Sequence, residues 1–108
     1  MTAEVVAALV LEGWPVRDGD LGENLLVSGF PYDAFRVGQR YLLGQVLVQI
    51  TEPIVPCGYL CRLPWLAERW RCDDFITTLR GRRGWYARVL TEGFIHVGDP
   101  VLTLEAAI

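Results

Sequence analysis

From Gln45 to Thr51 the side chains alternate, Val46, Val48 and Ile50 against Gln45, Leu47 and Gln49, and the stretch then runs into Pro53 and Pro56. A period of two marks an extended strand with one buried face. Neither proline can donate to a ladder, so the strand must end near them and the chain must turn out of the sheet. Cys57 therefore stands at a strand exit, a place where a side chain can be rigidly aimed and still be reached.

The rest of the chain punctuates itself around that strand. Thr2 can cap a helix running to Glu12, with Glu4 near its positive end and Val5, Val6, Leu9 and Val10 at helical spacing; Gly13 and Pro15 stop it. A loop rich in Gly, Asp and Asn covers 18–24 and leads into a short strand expected over Leu25 to Val27. Strands are expected at Arg40 to Leu43, Trp85 to Thr91, Phe94 to Val97 and Val101 to Leu104. Between Gly58 and Arg80 the apolar residues lose their alternation, which predicts two or three short helical turns broken at Pro64 and at Cys72-Asp73, with Asp73 or Asp74 capping the last. Short strands with Gly and Pro turns predict a mainly β domain, barrel-like, with an N-terminal helix and short inserted helices. At 108 residues the chain is expected to be a single domain.

Composition narrows the function. Hydrophobic residues make up 52% of the chain and charged ones 21%, enough apolar material for a core and too much for disorder. A net charge of −3 offers no global attraction to a polyanion, so nucleic-acid binding is not expected and any anion site must be local. All ten basic residues are arginines, which donate in a planar fork suited to phosphate or carboxylate. No apolar run is long enough to span a membrane and no secretory leader opens the chain, so a cytoplasmic location is expected. Three cysteines without a regular framework are expected to be reduced thiols.

Among residues that could carry chemistry, Cys57 comes first. If a helix begins at Gly58, its amides would favour the thiolate. A thiolate is a soft ligand for a sulfur-rich, high-valent metal and a nucleophile that can carry sulfur as a persulfide. Equally, a free cysteine can be a small buried apolar residue. Cys61, one helical turn on, could resolve an oxidised Cys57 or fill core. Cys57, Cys61, Cys72 and His96, the last expected in a strand among apolar neighbours, match no usual zinc spacing. Arg88 lies within a strand, so its charge must face solvent or a lined pocket, and Tyr86 shares its face by alternation. Arg82 and Arg83 sit in the basic turn Gly81 to Gly84. Asp99 in Gly98-Asp99-Pro100 and Gly22 are turn residues, and the four tryptophans are core or interface anchors.

The segment Val48-Gln49-Ile50-Thr51-Glu52-Pro53 followed by Pro56-Cys57 resembles the signature of the MOSC domain, the C-terminal domain type of molybdenum-cofactor sulfurases. Two flanking blocks agree in order and spacing. Upstream, Gly19 to Leu25 resembles the family's Gly-Glu-Asn loop; downstream, Gly81 to Leu90, Gly93 and Gly98-Asp99-Pro100-Val101 resemble its closing strands. The resemblance covers roughly residues 13–104. It implies a β-barrel-like domain that binds molybdenum cofactor (molybdopterin) or handles sulfur, with Cys57 as thiolate ligand to molybdenum or as sulfur carrier. Glu23 and Asn24 would line or brace the cofactor pocket, and Arg82, Arg83, Tyr86 and Arg88 would meet the pterin phosphate or an anionic substrate.

Some members of that family reduce N-hydroxylated compounds and others are fused to a desulfurase. An oxidoreductase or a sulfur-transfer protein is thus implied, with a cysteine desulfurase or an electron-donor protein as partner. Members normally carry an opening strand and a Gly-Asp-x-His-like element before the Gly-Glu-Asn block, and here only about twenty residues precede it. The domain is therefore expected to lack that strand and to leave an edge that a second copy would cover, as a homodimer. The alternative is a binding or structural module that keeps the barrel and has lost the cofactor.

Overall fold

The computed structural model describes residues 1–104, apart from the side chain of Arg69; the last four residues of the expected domain lie outside the described residues. The chain forms two compact units, one of Met1–Tyr32 with Ile54–Gly84 and one of Asp33–Pro53 with Trp85–Ile108.

The first unit is helical. Helix α1 (Ala3–Leu11) starts where Thr2 accepts a hydrogen bond from the Val5 amide at 3.3 Å and buries Val5, Val6 and Leu9. Helix α2 (Arg69–Leu79) begins after Glu68. Neither Asp73 nor Asp74 caps it: both lie inside, because the apolar spacing Cys72, Phe75, Leu79 already faces the core from Arg69 onward and leaves no break at Cys72-Asp73. Between Pro56 and α2 the chain makes two short 3-10 stretches, Gly58–Arg62 and Pro64–Leu66, split by Pro64 as its composition predicts. The core joins Val5, Val6, Leu9, Leu21, Leu66, Phe75 and Leu79. Phe75 is its aromatic centre, with ring centroids 4.9 Å from Trp14 and 5.0 Å from Trp65.

Two expectations fail here. Leu25 to Val27 forms no ladder strand but one isolated parallel bridge, Thr2 to Val27, because the segment it meets, Met1 to Ala3, turns at once into α1 and Gly29 turns the chain at a φ of 73°. The cysteines are not all reduced thiols. Cys61 and Cys72 form a disulfide, which ties the first 3-10 stretch to α2 and leaves Cys57 as the free cysteine.

The second unit is a four-stranded antiparallel sheet of β1 (Arg40–Leu43), β2 (Val46–Pro53), β3 (Trp85–Thr91) and β4 (Val101–Leu104), in the order β3-β2-β1-β4. Tyr41, Leu43, Val46, Val48 and Ile50 are buried on one face, as the alternation requires. β3 pairs with β2 and β4 pairs with β1, so among the described residues the sheet is open rather than closed into a barrel. Phe94 to Val97 is not a strand. Among the described residues Phe94 hydrogen-bonds to Gln45 at the β1–β2 turn, and the turn at Asp99 reverses the chain before a ladder can form. The β1–β2 turn itself needs Gly44, whose φ is 58° and whose missing Cβ would lie 2.5 Å from Asp99 Oδ2.

A candidate site around Cys57

The first unit holds five of the seven residues singled out from the sequence. β2 ends at Pro53, and the Ile54 amide donates to the Gly84 carbonyl at 2.9 Å, which fixes the exit path towards Cys57. Cys57 is exposed and precedes Gly58–Arg62, capping that 3-10 stretch through its backbone. Its side chain takes no amide hydrogen bond there. The helix expected to activate the thiol is thus only a five-residue 3-10 turn, too short to sum a sizeable dipole.

That turn forms one wall of a shallow cleft of about 130 Å³, lined by Tyr59, Leu60, Arg62 and Leu63 on one side and Gly19, Asp20, Leu21 and Gly22 on the other. The loop resembling the Gly-Glu-Asn block and the chain just after Cys57 therefore face each other across one concavity. Each wall is held. Gly22 turns at a φ of 74°, open to glycine and strained for other residues. Asp20 accepts from the Arg17 amide at 3.0 Å and from Trp65 Nε1 at 3.3 Å. The disulfide at Cys61 anchors the opposite wall to α2. The Arg62 guanidinium lies over the Tyr59 ring at 4.4 Å, a cation–π pair at the rim.

Glu23 is half-buried. One oxygen accepts from the Gly19 amide at 2.6 Å; the other is shielded from solvent and has no hydrogen-bond partner. Glu23 and Arg83 share a neighbourhood around the Met1 amine, whose pKa is lowered by burial, raised by the Glu23 charge and lowered again by Arg83. Arg83 donates to the Leu21 carbonyl at 2.5 Å, so it braces the loop that forms the cleft wall. The basic turn is pinned as well. The Tyr32 hydroxyl accepts from the Gly84 amide at 2.9 Å and donates to the Gly84 carbonyl at 3.3 Å.

Arg82 is engaged elsewhere. Its two terminal nitrogens meet the Glu12 carboxylate at 2.7 and 2.9 Å and its Nε donates to the Thr78 carbonyl at 3.2 Å. The fork is filled by α1 and the end of α2, and a ligand would have to displace both. Asn24 is exposed beside Glu23.

Tyr86 and Arg88 belong to the second unit, on β3, and both are exposed on the face their alternation gives. Arg88 faces Gln49 across the ladder, and the Tyr86 carbonyl accepts from the Thr51 hydroxyl at 3.2 Å. His96 lies exposed in a loop rather than in a strand, its amide donating to Asp99 Oδ2 at 2.8 Å. Among the described residues no cluster of His, Cys, Asp and Glu could hold a metal ion by itself. Sequence reasoning passed over Tyr59 and Arg62. Both lie outside any recognisable motif, and their pairing depends on the 3-10 geometry.

With this geometry in view, the likeness to known proteins is specific. The family pattern for the MOSC domain matches residues 2–102, and the chain belongs to that family. The uncharacterized protein YflK of Bacillus subtilis (strain 168) is 29% identical over 86 residues, a stretch covering 78% of this chain and 36% of YflK. The crystal structure of YiiM from Geobacillus stearothermophilus superposes with a TM-score of 0.78 at 32% identity, over 96% of this chain and 52% of that one. YiiM from Escherichia coli shares the fold, with a TM-score of 0.72 at 22% identity, over 98% of this chain and 53% of that one. The chain thus spans about half the length of these solved structures and about a third of YflK.

Proposed function

We propose that this MOSC domain binds a molybdenum–pterin cofactor with Cys57 as the protein's sulfur ligand, and that the same thiol can carry sulfur as a persulfide. One observation carries the reading: the free cysteine is exposed and immediately precedes the 3-10 turn that walls a cleft, whose opposite wall is Gly19 to Gly22 of the Gly-Glu-Asn-like loop. The donor set fits such a group in two respects. An accessible thiolate is the soft ligand that molybdenum takes. The shielded, unpartnered oxygen of Glu23 is an acceptor in need of a donor, and a pterin ring carries N–H groups. The cleft is smaller than the roughly 300 Å³ at which pockets enclose a small organic molecule, so it would grip one end of the cofactor.

In this reading each residue has a limited task. Cys57 supplies the thiolate, Glu23 accepts from the ligand's ring, and Asn24 lines the entrance. Arg83 holds the loop in place through Leu21. Arg88, with Tyr86 beside it, meets an anionic group. Arg82 acts indirectly, by fixing the basic turn to Glu12. When bound, the cofactor supplies a two-electron redox centre, which would support reduction of N-hydroxylated substrates with electrons from a partner protein. A cysteine desulfurase is the partner the persulfide role requires.

The β-barrel architecture and the homodimer belong to the same proposal. Among the described residues strands β3 and β4 each have one neighbour, and a further strand from a second copy would cover such an edge. A cytoplasmic site of action is proposed with it; no helix among the described residues is long and apolar enough to cross a membrane.

Metal analysis tests the reading. Protein purified from a host that makes the cofactor should hold molybdenum in stoichiometric amount, and Cys57→Ser should lose it. Metal-free protein from that host would favour the other reading, a binding module that keeps the fold without the cofactor.

A further inference from the structure

The exposed face of the sheet carries a row of side chains that the fold alone brings together. Arg40 on β1 is in register with Gln49 on β2, and Gln49 with Arg88 on β3. Register partners point to the same side of a sheet, and strands lie about 4.8 Å apart, so the two arginines stand about 10 Å apart at their Cα atoms with one neutral residue between them. That is within the reach of two guanidinium arms converging on one ligand. Both arginines are exposed, and the ion pairs formed among the described residues, Arg82 with Glu12 and His96 with Asp99, involve neither. Gln49 is tied down by its own amide, which donates to the Gly38 carbonyl at 2.9 Å.

Two further features single the row out. Register shifts between Leu47 and Val48 and between Ile50 and Glu52 bracket the pairs that hold Gln49 and Arg88. Bulges of this kind raise the local twist and re-aim side chains, and they are common beside functional sites. The next row on the same face is apolar: Leu42 is in register with Leu47 on one side and with Leu102, which is 49% exposed, on the other. A pair of free cations thus borders a strip of leucine.

We infer that Arg40 and Arg88, spaced by Gln49, form an oxoanion-binding site on the exposed face of the sheet, suited to a phosphate monoester whose flat or apolar body lies along Leu42, Leu47 and Leu102. Guanidinium forks match phosphate oxygens in pairs, and two forks from opposite sides can satisfy one phosphate group. The inference extends the role proposed for Arg88 by giving it a second arm, and it does not require molybdenum. The phosphate could belong to a pterin or to a separate substrate; both present the same headgroup.

The test uses the whole chain, free of molybdenum, in nuclear magnetic resonance titrations at constant ionic strength with chloride, inorganic phosphate and phenyl phosphate. Phosphate should shift the amide signals of β1 to β3 where chloride does not, and phenyl phosphate should bind several-fold more tightly than inorganic phosphate. Arg40→Ala and Arg88→Ala should each weaken binding about tenfold, the loss of one charge-assisted contact worth about 1.4 kcal/mol. Gln49→Glu, which sets a carboxylate between the arginines, should abolish binding, and Arg36→Ala should leave it unchanged. Equal responses to phosphate and chloride, or unchanged affinity in the Arg40, Arg88 and Gln49 variants, would overturn the inference. A molybdenum–pterin compound that displaces phenyl phosphate would identify the cofactor as the source; failure to displace it, with phosphate binding intact, would point to a separate substrate. Loss of the molybdenum proposal alone would leave the phosphate result standing.

Discussion

Cys61 and Cys72 are bonded to one another, the first exposed on the 3-10 turn that follows Cys57 and the second fully buried in α2. The bond joins the cleft wall to the core and leaves a single thiol in the chain free to react.

Removing that cross-link should cost stability without removing the free Cys57 thiol. Its two cysteines are 11 residues apart in sequence, and closing so short a loop constrains the unfolded chain by about 3 kcal/mol. Urea unfolding of Cys61→Ser should show a loss of that order, and Cys57→Ser should unfold like the unaltered protein. Thiol counting before and after reduction checks the pairing: one reactive thiol should become three.

The Glu12–Arg82 pair predicts an acid-side weakness. The Arg82 hydrogen bonds hold the Glu12 carboxyl below its usual value of 4.5, and the Gly29 amide does the same for Glu4. A carboxyl with a depressed folded-state pKa stabilises the fold fully above the ordinary value and loses that contribution as pH falls through the folded value. Thermal midpoints should therefore drop below pH 4.5, and Glu12→Gln should flatten part of that drop. An unchanged acid limb in Glu12→Gln would show that the pair contributes nothing.

Gly44 and Gly38 make a matched comparison. Both have positive φ, but a Cβ at Gly44 would collide with Asp99 Oδ2 and the Phe94 carbonyl, whereas one at Gly38 would meet open space. Gly38→Ala should cost about 1 to 2 kcal/mol from backbone strain alone. Gly44→Ala should cost clearly more, read as a lower denaturation midpoint, because it also breaks the turn between β1 and β2.

Glu23→Gln separates a structural role from a cofactor role. The amide keeps an acceptor for the Gly19 amide, so stability of the cofactor-free protein should change by less than about 1 kcal/mol. Molybdenum content after expression in a cofactor-replete host should fall. Normal content would remove Glu23 from the proposed pocket.

The sheet was largely legible from the sequence because alternation and proline act locally. Val46, Val48 and Ile50 mark β2, and Pro53 and Pro56 mark its end, without reference to distant residues. The capping of α1 by Thr2 was legible for the same reason. What failed depends on pairing at a distance. Leu25 to Val27 and Phe94 to Val97 have strand-like composition, but the first meets a segment that turns into α1 and the second touches the β1–β2 turn, so neither contact extends into a ladder. The partner of Cys61 was hidden because helix α2 starts before Cys72, not after it, and so brings that sulfur back onto the 3-10 turn. In the candidate site, Cys57 and the loop at Gly19 were legible as motifs. The capture of Arg82 by Glu12, 70 residues away, and the alignment of Arg40 with Arg88 were not, because each needs a fold before it has meaning.

The proposal for Cys57 is that its sulfur is the protein's bond to molybdenum. X-ray absorption at the molybdenum edge, on protein loaded in a cofactor-replete host, measures the sulfur neighbours of the metal directly. A thiolate scatterer should be present that disappears in Cys57→Ser and persists when Cys61 and Cys72 are both replaced by Ser. Molybdenum held with the same sulfur neighbours in Cys57→Ser would contradict it.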